Sequence, residues 1–312
     1  IELVRQKIQY IRTDNKGPAH ARNVGMKAAS GKYISFLDAD DLYLPHKLEL
    51  EVSFMEAHPE AKIVATEVSS LFGDTVAEEY HLRSFHSIYR RKGWSYEDVF
   101  AIHGKFTCKA VSTPISYYIG DIFRHVLQGP VLMSNTILFP RDILQRVGYQ
   151  NEAYCLAEEY ELIVRICRHY QAAFLNIPTY LYRYHDNQIS MAGSPRNRER
   201  TLTQIGIEKV FLQAVLDWGY GNKKYYNENK EWLNHRIAEL YHCIGGEWLD
   251  IGEAKKAREC FSKGLHFDAE YIKNRYYWYI SFLPHSIKRL LFGIYSRLKY
   301  GFNKEYQKQL LF

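Results

Sequence analysis

At 312 residues the chain has room for one large or two ordinary domains, and an apolar share of 46% is enough to build a core. A formal charge of +6 is too mild to argue for nucleic acid; it is compatible with an anionic ligand or a membrane surface. The five cysteines are odd in number and lack Cys-x-x-Cys spacing, which points to free thiols in a reducing compartment instead of a disulfide scaffold or zinc site. No uninterrupted apolar stretch reaches the ~20 residues that a membrane helix needs.

In chain order, Lys7 to Ile11 reads as a short strand and Asp14-Asn15-Lys16-Gly17-Pro18 as a turn. Pro18 suits the first turn of a helix that runs from Ala19 to Ala29. Lys32 to Leu37 is a strand by its β-branched and aromatic content. A helix follows from Pro45 to His58, then a strand from Ala61 to Val68. This α-β-α-β alternation predicts an α/β fold with a mostly parallel sheet. The stretch from Phe72 to Pro130 has no clean period and is expected to form loops and short helices over a cleft. Val131 to Phe139 is a predicted strand, Asp142 to Val147 a short helix and Ala157 to Tyr170 a longer one. Ala173–Asn176 and Thr179–Tyr184 read as two short strands. The polar, charged run Ser194 to Arg200 marks a domain boundary, so that residues 1–193 form the α/β unit and 194–312 a helical one.

Chemistry concentrates where the strand Lys32–Leu37 ends. Asp38 and Asp40 share one side of an extended chain. Two carboxylates facing one point repel unless a cation lies between them, and hard oxygen ligands suit Mg²⁺ or Mn²⁺. Alone, an Asp-x-Asp is close to a chance match, and Asp41 is equally placed to cap the following helix.

Four separated pieces resolve the ambiguity. They are Asn15-x-Gly17 with Ala21-Arg22-Asn23-Val24-Gly25; Gly31 to Asp38-Ala39-Asp40-Asp41 with Pro45-x-Lys47-Leu48; Glu158-Glu159-Tyr160-Glu161-Leu162 with Arg165; and Tyr182-Arg183-Tyr184-His185 with Ile189-Ser190. Together and in this order they resemble the family 2 glycosyltransferases, whose fold is of the GT-A type. The resemblance spans residues 1 to about 191.

That resemblance implies roles. Asp38, Asp40 and His185 are expected to hold the metal. Asn15, Gly17, Arg22, Asn23, Asp38, Asp40, Asp41 and His185 are expected to bind the nucleotide sugar, with Arg22 and Asn23 at a helix opening suited to phosphate or ribose oxygens. Glu159 matches the family's catalytic base, usually an Asp, with Glu158 as its orienting neighbour. Arg165 is placed to pair with these acids. The implied reaction is metal-dependent transfer, with inversion, from a nucleotide-diphosphate sugar, with uridine the implied base, to a glycan or lipid-linked hydroxyl. The implied setting is bacterial surface polysaccharide assembly, in the cytoplasm or at the inner face of the membrane, with no role for nucleic acid.

The family's opening strand-helix-strand has no counterpart before Ile1, so the GT-A unit is expected to be incomplete at its N-terminus and to bind nucleotide poorly alone. Tyr241 to Leu265 resembles a tetratricopeptide helix pair, giving one such unit over residues 237–268. The tail 283–312 mixes aromatic and basic residues, as would a helix lying on an anionic membrane or one packed on the protein. A catalytically inactive protein that recruits partners through its helices is the competing function. An aspartyl phosphotransferase is disfavoured by Leu42, two places after Asp40, where Thr or Val is usual.

Overall fold

The computed structural model describes residues 8–77, 87–185, 188, 197–284, 287 and 291. Its elements in chain order are α1 (Pro18–Ala28), β1 (Tyr33–Ser35), β2 (Leu42–Tyr43), α2 (Lys47–Ala57), β3 (Ala61–Phe72), β4 (Thr75–Val76), α3 (Ser87–Lys92), α4 (Tyr96–Val99), β5 (Ile102–Cys108) and β6 (Val111–Gly120). They continue with α5 (Phe123–Gln128), β7 (Leu138–Pro140), α6 (Leu144–Val147), α7 (Glu158–His169), β8 (Gln171–Tyr184), α8 (Arg198–Ala214), α9 (Lys223–Asp250), α10 (Ala254–Phe267) and α11 (Ile272–Ile280).

The strands form one sheet in the order β1-β7-β3-β8-β6-β5, with β2 added to β8 and β4 to β3. Alternate residues of the central strands serve opposite layers. Ile63, Ala65, Ala172 and Phe174 face α7 and the helical region. Ala61, Val64, Ala173 and Leu175 face Leu50, Phe54 and Met55 of α2. This is an α/β fold, but the sheet is mixed and not mostly parallel: β3–β8 is the parallel pairing among the described residues, and the others are antiparallel. The alternation rule fails because β6 enters as the second strand of a hairpin with β5 and β7 follows only the short helix α5, so neither is reached by a right-handed helical crossover.

Other expectations shift in instructive ways. Val131 to Phe139 yields only the three-residue strand Leu138–Pro140, preceded by a 3₁₀ turn at Ser134–Thr136. The Thr136 hydroxyl donates to the Met133 carbonyl and tightens that turn. The two short strands expected after α7 are one strand of 14 residues, with two of its three register shifts beside Pro178. The unreadable stretch holds a real hairpin, β5–β6. Its alternation is hidden because both strands are largely exposed until Ile115. Ile8 to Ile11 forms no strand, and Lys7 lies outside the described residues.

The helical region starts at Asn197, whose side chain accepts from the Arg200 N–H at 2.8 Å and caps α8. Its core is continuous with that of the α/β unit: Leu233, Ile237 and Leu240 of α9 share a cluster with Val126 and Leu127. Gly245 of α9 faces Phe261 of α10, where an added Cβ would meet the ring at 2.5 Å, and this close approach requires glycine. No helix of the described residues is long and apolar enough to cross a membrane. Of the tail 283–312, only Leu283, Pro284, Ile287 and Leu291 are described, so its expected docking lies outside the described residues. So do Ile189, Ser190 and Ser194 to Arg196.

Beneath the sheet's edge lies a fully buried ion pair, Lys47 Nζ to Glu51 Oε1 at 2.5 Å. Lys47 also donates to the Thr136 carbonyl at 2.7 Å. Burial pulls the Lys47 pKa down and pushes Glu51 up to about 7, so for each partner desolvation outweighs the attraction. Removing one partner strands the other. Lys47→Met is expected to cost about 3–5 kcal/mol in urea unfolding, and the double variant K47M/E51L to recover most of that loss. A double variant no better than the single would show that the pair is net stabilising.

Candidate active site

The acidic loop is tethered at both ends. Before it, β1 pairs with β7; after it, β2 pairs with Tyr180 and Leu181 of β8. Asp41 is the loop's buried anchor, with carboxylate oxygens that accept from the Tyr180 hydroxyl at 2.7 Å and the Arg183 N–H at 2.8 Å. Burial raises its pKa, against the pull of those two donors. Asp41 therefore does not cap α2; the N-cap there is His46, which makes no side-chain capping bond.

Asp38 points the other way. Its Oδ1 accepts from Arg22 Nη2 at 2.8 Å and its Oδ2 from Asn135 Nδ2 at 2.7 Å. Arg22 then reaches across the cleft, where Nη1 contacts Glu158 Oε1 at 2.8 Å and Glu159 Oε1 more closely still. One guanidinium thus joins the acidic loop to the paired glutamates that open α7. Burial opposes its charge, but the three carboxylates outweigh that and hold its pKa above the ordinary value. Glu159 is the perturbed member: burial pushes its carboxyl up to about 7, the charge of Glu158 adds to this, and Arg22 pulls against it. Ala157, the N-cap of α7, has φ 55 and is the one described residue other than glycine with positive φ. An alanine there costs ~1–2 kcal/mol, a local strain that sets how the two glutamates enter the cleft.

Asp40 and His185 form a separate, half-exposed pair, His185 Nε2 to Asp40 Oδ2 at 2.8 Å. Arg183 Nε donates to the Asp40 carbonyl at 2.7 Å and fixes that backbone.

The structure thus brings Arg22, Asp38, Asp40, Asp41, Glu158 and Glu159 to the wall of one cavity of about 680 Å³. Other expected residues stand outside it. Asn23 is buried, and its amide is spent on the Gln150 carbonyl at 2.9 Å and Glu152 Oε1 at 2.8 Å. Arg22 and Asn23 lie a turn inside α1, not at its opening. Asn15 accepts from the Gly17 N–H at 3.2 Å, and Gly17, at φ 89, turns the chain into α1. Arg165 pairs with Glu161 at 2.8 Å and not with Glu158 or Glu159. Asn135, Tyr180 and the α8 residues on the cavity wall carry no motif, and sequence reasoning missed them.

As a metal site the arrangement fits in part. No group of three His, Cys, Asp or Glu side chains among the described residues is placed to hold an ion. The expected set of Asp38, Asp40 and His185 does not assemble, because both Asp38 oxygens are occupied by Arg22 and Asn135. Asp40 and His185 do supply a hard oxygen and an imidazole at one point. The cavity wall also carries six carboxylates against three arginines, an environment that repels a diphosphate unless a cation enters with it.

Residues 2–112 match the sequence profile of Glycosyl transferase family 2. A glycosyltransferase of Rickettsia conorii, described as uncharacterised, is 32% identical over 156 residues, which cover 48% of this chain and 20% of that one. The Escherichia coli UDP-Glc:alpha-D-GlcNAc-diphosphoundecaprenol beta-1,3-glucosyltransferase WfgD is 52% identical over 40 residues, 13% of this chain and 16% of the other. Among solved structures, Staphylococcus aureus TarS 1-349 in complex with UDP-GlcNAc superposes with a TM-score of 0.49 at 13% identity, covering 85% of this chain and 67% of that one. The family 2 match covers residues 2–112, and the sheet with its flanking helices is an α/β fold. The matched stretches span only 7%, 20% and 8% of the three Rickettsia relatives.

The raised Glu159 pKa carries a stability signature. A folded-state value near 7 lies above the unfolded one near 4.5, so the folded chain binds more protons between them. Stability is then lost as pH rises through that window. Glu159→Gln is expected to exceed wild type in thermal stability at pH 8 and to match it near pH 5. A variant equally stable at both pH values would place the Glu159 pKa at its ordinary value.

Proposed function

We propose that this protein is an inverting, metal-dependent glycosyltransferase. It moves a sugar from a uridine-diphosphate donor to a hydroxyl of a glycan or lipid-linked acceptor in bacterial surface polysaccharide synthesis. The observation that carries this reading is Arg22, which holds Asp38 and the Glu158–Glu159 pair on one cavity, so that a base and a diphosphate site lie a guanidinium's width apart. The Escherichia coli relatives named as UDP-glucose transferases acting on a diphosphoundecaprenol-linked sugar support the donor and acceptor classes.

In this mechanism Glu159 accepts the proton of the acceptor hydroxyl. The oxygen attacks the anomeric carbon from the face opposite the diphosphate, the carbon–oxygen bond to phosphate breaks, and the nucleoside diphosphate leaves with that electron pair. A carboxyl held near 7 is matched to proton transfer at neutral pH. Asp40 and His185 are the residues that would hold Mg²⁺ or Mn²⁺, which supplies charge neutralisation for the diphosphate. Glu158 shares Arg22 and keeps it aligned.

Calorimetry with UDP and Mn²⁺ and a donor-turnover assay on the complete protein test this directly. Glu159→Gln is expected to lower turnover ~10²–10⁴-fold with UDP affinity nearly unchanged. Asp40→Asn is expected to weaken Mn²⁺-dependent UDP binding, read as lost heat. UDP binding that ignores Mn²⁺, or full turnover by Glu159→Gln, would defeat the reading.

A further inference from the structure

The cavity does not end at the glutamates. Gln204, Ile207, Glu208 and Phe211 of α8 all line it. Their spacing of i, i+3, i+4 and i+7 puts them on one helix face. Asp40, which pairs with His185, is on the same wall. Arg22 leads from Asp38 to Glu159. Tyr160 follows Glu159 in the chain, and its ring lies 4.4 Å from that of Phe211. The α8 face is thus joined through Tyr160 to the helix that carries Glu159 and shares one cavity with it, so a group held on α8 can present a hydroxyl to Glu159.

We propose that this face of α8 is the acceptor-sugar subsite, built for an uncharged pyranose, with Phe211 as its platform and Gln204 and Glu208 as its hydroxyl partners. The proposal rests on the transferase reading above and adds the acceptor's chemistry to it. An aromatic face carries negative charge density that attracts the C–H groups of a sugar ring. Gln204 Nε2 donates to Glu208 Oε1 at 3.1 Å, which orients the carboxylate and leaves its other lone pairs for hydroxyl donors. Burial raises the Glu208 pKa, opposed by the charges of Arg236 and Arg91. Apolar walls with a few convergent polar groups are the usual make-up of a small-ligand pocket. The charges at this point balance: Arg236 is committed to Glu239 Oε2 at 2.6 Å and to the Leu127 carbonyl at 3.3 Å, and Glu208 faces Arg91, so no net positive charge is left to hold an anionic group.

Saturation-transfer NMR on the complete protein tests this with N-acetylglucosamine and methyl α-D-glucopyranoside as probes, and with UDP and Mg²⁺ added as the donor-side ligand. At least one pyranose is expected to take up saturation and to keep it when UDP is present. Glu208→Gln and Phe211→Leu are each expected to cut that signal about fivefold, the scale of one lost hydrogen bond or packing contact, while the UDP signal stays. Circular dichroism identifies a variant that fails to fold, and Glu208→Gln, the isosteric change, then decides alone. The proposal is overturned if neither pyranose binds wild type, if UDP displaces the pyranose, or if Glu208→Gln leaves its signal intact. Failure of UDP to bind wild type would instead sink the transferase reading and leave the pyranose result standing.

Discussion

The arrangement of this site depends on a single guanidinium. Arg22 is charged and mostly buried, and it faces three carboxylates from two distant parts of the chain. Without it, Asp38, Glu158 and Glu159 would share a low-dielectric cleft with uncompensated like charge, a cost that protonation or opening of the cleft must relieve. With it, the acidic loop and the start of α7 are held at a fixed separation. The geometry is specific to arginine, because two nitrogens of one planar group address opposite walls.

Strand β8 supplies the complementary support. It runs through the sheet's centre beside β3 and ends at the cleft. Tyr180 and the Arg183 N–H hold Asp41, the Arg183 guanidinium holds the Asp40 carbonyl, and His185 meets the Asp40 side chain. The strand can do this because its interior residues, Ala172 to Leu175, are buried on both faces and leave no freedom of register. A second support runs from the buried pair Lys47–Glu51 to the Thr136 carbonyl, and so to the turn that presents Asn135 to Asp38. Stability and site geometry are thus joined through one 3₁₀ turn.

Much of this was legible from local chemistry. The helices α1, α2 and α7 were found within one or two residues, because Pro18, Gly17 and the apolar spacing are local signals. The motif residues Arg22, Asp38, Asp40, Asp41, Glu158 and Glu159 do meet at one cavity. What stayed hidden was non-local. The orientation of β7 and β6, and hence the mixed sheet, depends on pairing partners that no window of sequence reveals. Asn23 has the composition of a ligand-binding residue, but its amide closes the Gln150–Glu152 loop, a role visible only once that loop is in place. Asn135 and Tyr180 carry no local pattern and enter the site through tertiary contacts with Asp38 and Asp41.

The helical region also acquires a different meaning once the cavity is traced. Read as sequence, residues 194–312 were a helical unit with one repeat-like helix pair. In the fold, α8 is capped at Asn197 and lies against the loop that carries Leu156 and Ala157, so close that a Cβ on Gly206 would meet the Leu156 side chain at 3.2 Å. That loop holds the strained Ala157 that aims the glutamates. A residue in left-handed backbone persists only where its surroundings over-determine it. Part of that constraint comes from α8. The helical region therefore bears on the glutamates physically, through packing against the turn that positions them, as well as by completing the cavity beyond them.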